Sequence, residues 1–414
     1  MAYTATTRLI RPANSSHARQ LLWFTLIFFV VTLTIGLGWD RRWHTVHTFD
    51  TFYSPPHLFT YSMMLLASAL VASIAFRPSL RTAFEQGPGT SVRLPLLGIA
   101  MPGCLVLLGS GFVILALAGL LDDLWHTNFG LDETGWSTPH AMIGWGLLVI
   151  ALGFITCRLA LQPRVYRHNG GGVGTNAPLP VWTSLVMSGL LIIFSVTPLL
   201  GPFHGNKLPA MLQLIRFLPV LKAQPPVQHT YRIYLQWNIT RTNGWLAPLG
   251  GLWAGAVLAV LRGLDRRARV WLLIVVLWSV WNFLSDRATV RSFDRYFDQH
   301  LALNPVSWLP LPLLPAALML FLVTAVGFPE KLAWPLVGIV FAVCINRFWG
   351  PHARPLLLVL ATAFTAWLGG QLGDRVARIL RRPTHRAVIG LALAGVVVPL
   401  MTGVVDLYLR KVTP

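Results

Sequence analysis

Apolar residues in this chain of 414 residues come in long runs separated by short polar segments, and the runs recur from one end to the other. A run of about 18 or more apolar residues matches the length of helix that crosses a hydrocarbon core about 30 Å thick. Such runs fall at residues 20–38, 57–76, 96–121, 140–162, 180–203, 244–262, 269–285, 306–328, 333–348, 354–372 and 385–406. The pattern predicts an all-α integral membrane protein of about eleven transmembrane helices, because backbone polar groups in lipid must be satisfied within the segment. Pro102 and Gly103, and Pro310, Pro312 and Pro315, fall inside predicted spans and are read as kinks. No polar stretch is long enough for a soluble domain of appreciable size.

Composition agrees. Hydrophobic residues make up 55% of the chain, charged residues 11%, and the mean hydropathy is +0.61, whereas a soluble domain carries about 25% charged residues. The net charge of +19 would raise nucleic acid as a partner in a soluble protein. Here the basic residues sit in short loops between spans, where they set orientation and meet anionic headgroups, so the bilayer is the expected partner and nucleic acid is not. Cys104, Cys157 and Cys344 lie in or beside apolar runs, form no CxxC and read as small core residues. Arg8, Arg11 and Arg19 precede an apolar stretch too long for a signal-peptide core, which predicts an uncleaved first span.

Loop charge then predicts the topology. The N-terminus, the loops with Arg77, Arg81 and Arg93 and with Arg164 and Arg167, the segment Asp265 to Arg269, and the loop with Arg375, Arg378, Arg381, Arg382 and Arg386 alternate onto one side. That side, with the N-terminus, is cytoplasmic by the positive-inside rule, which predicts a multi-pass protein of the cytoplasmic (inner) membrane. The opposite side receives ten of the fourteen acidic residues (Asp40, Asp50, Asp122, Asp123, Asp132, Glu133, Asp286, Asp294, Asp298 and Asp406) and nine of the twelve histidines. Metal-ligand types therefore concentrate on the periplasmic or outer face.

Residues 1–165 read as a four-helix membrane part, 166–179 as a linker carrying Gly170 to Gly172 and Gly174, and 180–414 as further membrane helices of unplaced role. The glycines lack the preceding strand and following GKS or GKT of a phosphate-cradling loop. Met211 to Leu221 has the makings of a short interfacial helix. Acids alternate with arginines in Ser285-Asp286-Arg287, Asp294-Arg295 and Asp298-Gln299-His300, which reads as an interfacial ion-pair network rather than a metal site.

Two segments repeat one spacing. Trp39-Asp40-Arg41-Arg42-Trp43-His44 leads to Ser54-Pro55-Pro56-His57, and Asp122-Asp123-Leu124-Trp125-His126 leads to Ser137-Thr138-Pro139-His140. In each, a carboxylate precedes a Trp-His by four residues at the His, and a second His follows a Ser-x-Pro at the mouth of the next span. On a helix, residues four apart share a face, and a proline favours the first turn of the helix that carries the second His. Asp40, His44 and His57 thus form one candidate 2-His-1-carboxylate set, and Asp122, His126 and His140 a second. Imidazole and carboxylate without thiolate suit copper, iron or zinc. The alternative is a duplicated two-helix unit whose polar residues merely pair across the loop. His47, Asp50, Asp132 and Glu133 lie between the ligands and either orient them, relay protons or are solvated loop residues, while Asp123 is a candidate outer partner of the second set.

The first segment resembles the ligand stretch of the C subunit of the particulate methane and ammonia monooxygenases, membrane-bound copper enzymes. In that family an Asp-x3-His-x12-His triad binds a metal, matched here by Asp40, His44 and His57 with Trp43 and Pro55 in the flanks. A second triad, Asn-x3-His-x13-His, is matched by Asp122, His126 and His140, with Asp122 in place of the family's Asn. The extra carboxylate would harden that site toward iron or hold copper more tightly. The resemblance covers about residues 20–160, and residues 180–414 match no motif of the family. It implies copper and oxygen-dependent hydroxylation of a small apolar substrate or ammonia, with electrons from a quinol or redox partner. The alternatives are a non-catalytic metal-binding or structural subunit among other membrane subunits, or a transporter, in which intramembrane charges mark an ion path.

Overall fold

A computed structural model of the chain describes residues 7–10, 15–46, 51–85, 91–94, 98–129, 137–162, 164–167, 175–176, 179–200, 247–280, 284, 310–348 and 354–412. The glycine-rich linker, the segment Met211 to Leu221, the acid and arginine cluster from Ser285 to His300, and His47, Asp50, Asp132 and Glu133 lie outside the described residues.

Strand β1 (Thr7–Ile10) precedes helices α1 (Ser15–Val46), α2 (Pro55–Phe76) and α3 (Pro78–Glu85). Strands β2 (Ser91–Leu94) and β3 (Ile99–Pro102) lead into α4 (Gly103–Phe129) and α5 (Thr138–Ala160). After β4 (Arg164–Arg167) and β5 (Thr175–Asn176) come α6 (Val181–Leu200), α7 (Ala247–Leu264), α8 (Ala268–Val280), α9 (Pro310–Ala325), α10 (Glu330–Phe348), α11 (Pro355–Arg381) and α12 (His385–Val412). The strands are short antiparallel pairings. β2 pairs with β3, and β4 pairs with both β1 and β5. Gly98, at φ +63°, makes the turn into β3, a conformation that costs glycine nothing.

Seven helices among the described residues are long and apolar enough to cross a membrane: Ser15–Leu37, Pro55–Phe76, Gly103–Trp125, Thr138–Ala160, Ala247–Leu264, Pro355–Arg381 and His385–Val404. Four shorter apolar helices, Val181–Val196, Ala268–Val280, Leu313–Ala325 and Leu332–Arg347, coincide with further apolar runs of the sequence. The chain is therefore a multi-pass helical membrane protein. Its exposed faces are apolar as lipid requires. On α1, Phe24, Ile27, Val31 and Ile35 follow one helical stripe and are each at least half exposed. Hydroxyls inside the helices bond their own chain, as Thr156 Oγ1 does to the Leu152 carbonyl at 2.6 Å and Thr362 Oγ1 to the Leu358 carbonyl at 2.7 Å.

Two compact units emerge. The first comprises Met1–Leu124, Trp145–Thr183 and Arg378–Val398. In it α1 packs on α2, Phe29 meets Phe112 edge-on at 5.1 Å between ring centroids, and α4 runs antiparallel to α5 along a glycine seam. A Cβ on Gly153 would fall 2.5 Å from the Leu108 Cα, and one on Gly111 would fall 2.7 Å from the Ile150 nitrogen. Helices without a hydrophobic drive between them gain packing through such small residues.

The second unit comprises Trp125–Gly144, Ser184–Ala377 and Pro399–Pro414. There Gly255 of α7 lies against the Ala366 carbonyl of α11, and Gly369 and Gly373 of α11 lie against the Leu252 and Ala256 carbonyls. Thr365 Oγ1 donates to the Pro248 carbonyl at 2.6 Å across the same pair. Trp253 is fully buried and donates through Nε1 to Ser195 Oγ at 2.9 Å.

Helix ends differ from the apolar boundaries in ways that matter. α4 starts at Gly103, so Pro102 closes β3 and neither residue kinks a span. Pro310 and Pro312 stand in the first turn of α9, leaving Pro315 as the proline inside it. α1 and α4 run on past residues 38 and 121 to Val46 and Phe129, because no Pro or Gly interrupts either polar extension. Those extensions carry the first two members of each candidate triad.

Candidate metal centre

Asp40 and His44 stand one turn apart in the terminal part of α1, and Asp122 and His126 do so in α4. The second histidines also share a position. Ser54 is the N-cap of α2 with an extended backbone, Pro55 and Pro56 fill its first two helical positions, and His57 takes the third. Ser137 precedes Thr138 and Pro139 at the start of α5, and His140 again takes the third position. The repeated Ser-x-Pro-His thus has one local structure in both places: a serine before the helix, a proline that needs no hydrogen bond there, then the imidazole.

The first histidine site is anchored from two sides. The Thr51 carbonyl accepts the Ser54 backbone N–H at 3.0 Å and also faces His57 Nδ1 at 3.0 Å. A carbonyl can only accept, so Nδ1 carries the proton and donates. The other ring nitrogen, Nε2, lies 3.0 Å from Asp40 Oδ1. That nitrogen then either carries a second proton, making an imidazolium paired with the carboxylate, or turns its lone pair toward the carboxylate with a cation between them. The ring also lies 5.7 Å from that of Tyr61, one turn further along α2. His57 and Asp40 are 17% and 25% exposed, so they are shielded without being sealed from solvent.

This donor pair fits a metal. A ligand histidine ordinarily donates its remote N–H to a carbonyl or carboxylate, which fixes the tautomer and the ring plane, and the Thr51 carbonyl does that here. One imidazole nitrogen and one carboxylate oxygen are donor types that suit copper, iron or zinc.

The second histidine is anchored differently. Ser137 Oγ lies 3.0 Å from His140 Nδ1 and accepts the His140 backbone N–H at 3.4 Å. A buried serine thus holds both the helix start and the ring. Asp122 is half-buried and Asp123 exposed. Asp122 belongs to the first compact unit, and Ser137 and His140 to the second.

Of the six proposed ligands, the structure brings Asp40 and His57 together. The side chains of His44 and His126 lie outside the described set. Among the described residues no three His, Cys, Asp or Glu side chains gather into one group. The Thr51 carbonyl escaped sequence reasoning because a backbone acceptor has no signature of its own. The serines were visible as Ser-x-Pro-His, and their place before a helical run marks them as N-caps. No protein-family model, curated protein or solved structure matches this chain.

Proposed function

We propose that the protein is a membrane metalloprotein that binds copper, with iron and zinc as the alternatives, through Asp40, His44 and His57 and through Asp122, His126 and His140. It would serve O2-dependent hydroxylation of a small apolar substrate or ammonia, either alone or as a subunit of a larger membrane complex. The observation that carries the reading is the His57 ring, proton-donating to Thr51 on one side and 3.0 Å from the Asp40 carboxylate on the other. The repeat supports it, since His140 takes the same helix position as His57 behind its own serine.

In this reading α1 and α4 supply a carboxylate and an imidazole each, and the starts of α2 and α5 supply the remaining imidazoles. Copper bound there would supply one-electron and O2 chemistry. The Thr51 carbonyl keeps Nε2 of His57 as the coordinating nitrogen, and Tyr61 restricts the ring. Methane, short hydrocarbons and O2 partition into the bilayer, so a site at the membrane edge meets them at raised concentration. The topology that goes with this has eleven crossings, a cytoplasmic N-terminus and both triads on the outer side of the inner membrane, as the basic loops suggest.

Metal analysis of the purified chain, loaded separately with copper, iron and zinc, tests the metal. Oxygen uptake by the copper-loaded chain with a reductant and a short alkane tests the activity. Copper bound without substrate-dependent oxygen uptake favours a non-catalytic metal-binding subunit. Absence of bound metal in both wild type and a His57→Ala variant removes the reading.

A further inference from the structure

Arg158 lies in the last turn of α5 and is 5% exposed, with its Nε and Nη1 buried and without hydrogen-bond partners. A guanidinium stays charged in a protein, and a buried charge without a counter-charge is costly. The partial negative end of α5 offsets some of that cost, but Arg19 of α1 brings a second positive charge close to it. Neither arginine has an acidic partner among the described residues.

More unmet donors gather at the same end of the first unit. Trp23 stands one turn along α1 from Arg19, and its ring lies 4.9 Å from that of Trp182, the neighbour of Thr183. Trp23 Nε1 and Thr183 Oγ1 are likewise buried and without partners. Guanidinium and indole nitrogens can only donate, and a hydroxyl can. The missing counterpart is therefore an anion with several acceptor oxygens.

We propose that Arg158, supported by Arg19, holds the phosphate of an anionic glycerophospholipid at the end of the first unit where α1 begins and α5 ends. Depth favours a lipid over a free ion. The apolar segments of α1 and α5 are 23 residues each, about 34 Å at 1.5 Å per residue, so their terminal turns reach headgroup level on either side of a core about 30 Å thick. The paired tryptophans suit that level as well. The exposed stripe Phe24, Ile27, Val31 and Ile35 starts about one turn beyond Arg19 and offers an acyl chain an apolar track. Guanidinium recognises phosphate through paired N–H donors, which a lysine cannot reproduce.

The test uses the full chain purified in detergent, delipidated, and then given phosphatidylglycerol or inorganic phosphate, with native mass spectrometry and thermal unfolding as readouts. The wild type should keep or regain one tightly held phosphatidylglycerol and unfold at higher temperature with it. Arg158→Leu should lose about tenfold or more in that retention, the weight of one or two charge-assisted hydrogen bonds, and Arg158→Lys should fall between. Arg19→Gln should weaken retention too, and it provides the reading if Arg158→Leu does not fold. Equal retention by wild type and the Arg158 variants overturns the proposal. So does stabilisation by inorganic phosphate equal to that by the lipid, which would make the ligand a free anion. No effect of either probe on the wild type would also overturn it, leaving the arginine solvated by water.

Discussion

The carboxylate of Asp40 in α1 and the imidazole of His57 at the third position of α2 lie 3.0 Å apart, and the far nitrogen of the same ring faces the Thr51 carbonyl at the same distance. The ring is oriented from behind, which leaves Nε2 and Oδ1 as the pair that shares a proton or a metal. Asp40→Ala and His57→Ala should each remove about one metal equivalent per chain, while Tyr61→Phe, which keeps the ring contact, should leave the content unchanged. Metal content by mass spectrometry checks this, and full occupancy in both ligand variants would refute ligation by this pair.

Topology is separately testable. In the proposed topology the positive-inside rule puts residues 39–56 and 122–139 on the outer side. Single cysteines placed at Thr48 and Thr134, in a chain with Cys104, Cys157 and Cys344 replaced, should both react with a membrane-impermeant thiol reagent in intact cells. Reaction at one position with protection of the other contradicts the alternation.

The glycine contacts between α7 and α11 tolerate no side chain. Gly255 meets the Ala366 carbonyl and Gly369 the Leu252 carbonyl, both backbone atoms that cannot rotate away. Gly255→Leu or Gly369→Leu should force the helices apart and destabilise the protein by about 1–3 kcal/mol or more. Gly390, whose Cβ would meet nothing within 4 Å, provides the control: Gly390→Ala should unfold at or above the wild-type temperature. Equal unfolding temperatures in detergent for the two Leu variants and the wild type would show that this seam does not form.

Much of this fold could be read from the chain because lipid imposes a simple rule: a long apolar run must be a helix. That rule speaks only of apolar residues, and so it ended the first and third spans at 38 and 121, whereas α1 and α4 continue through Asp40, His44, Asp122 and His126. It also placed Arg375, Arg378 and Arg381 in a loop, yet all three belong to α11, where basic residues complement the helix C-terminus. The short strands were invisible because two to four residues are too few for a period to show. At the site, the spacing revealed which residue types repeat and where the helices carrying them begin. The Thr51 carbonyl and the buried Arg158 depend on how separate segments meet, which spacing does not encode.

The turn between α7 and α8 should make stability depend on acid. Asp265 is buried, which on its own would raise its pKa, but Arg267 outweighs that through its backbone N–H and its guanidinium, whose Nε donates to Oδ1 at 2.9 Å. The result is a pKa below the ordinary value. A carboxylate whose folded-state pKa is lowered contributes stability above its unfolded value of about 3.9, and that contribution is lost as pH falls through the lowered folded value. Asp265→Asn should therefore unfold at a lower temperature than wild type at neutral pH, and the gap should close as pH drops below about 4. A gap that stays constant down to strongly acidic pH would mean that the charge of Asp265 contributes nothing.

The second triad should hold its own metal rather than complete the first. In the proposed reading each repeat of the sequence carries its own carboxylate, its own Trp-His and its own Ser-x-Pro-His, so neither set needs a ligand from the other. His140→Ala should then lower bound metal by about one equivalent and leave the first site filled, and His57→Ala should do the converse. If the two shared one metal, either substitution would abolish all binding. Ser137 sharpens the test, because its Oγ lies 3.0 Å from His140 Nδ1 and also receives the His140 backbone N–H. Ser137→Ala should loosen the ring and the helix start together, lowering affinity at the second site by about tenfold while sparing the first. Because a histidine must lose its proton to bind, occupancy at both sites should fall as pH drops from about 8 to 5. Binding at the second site that holds level across that range would show that His140 is not a ligand.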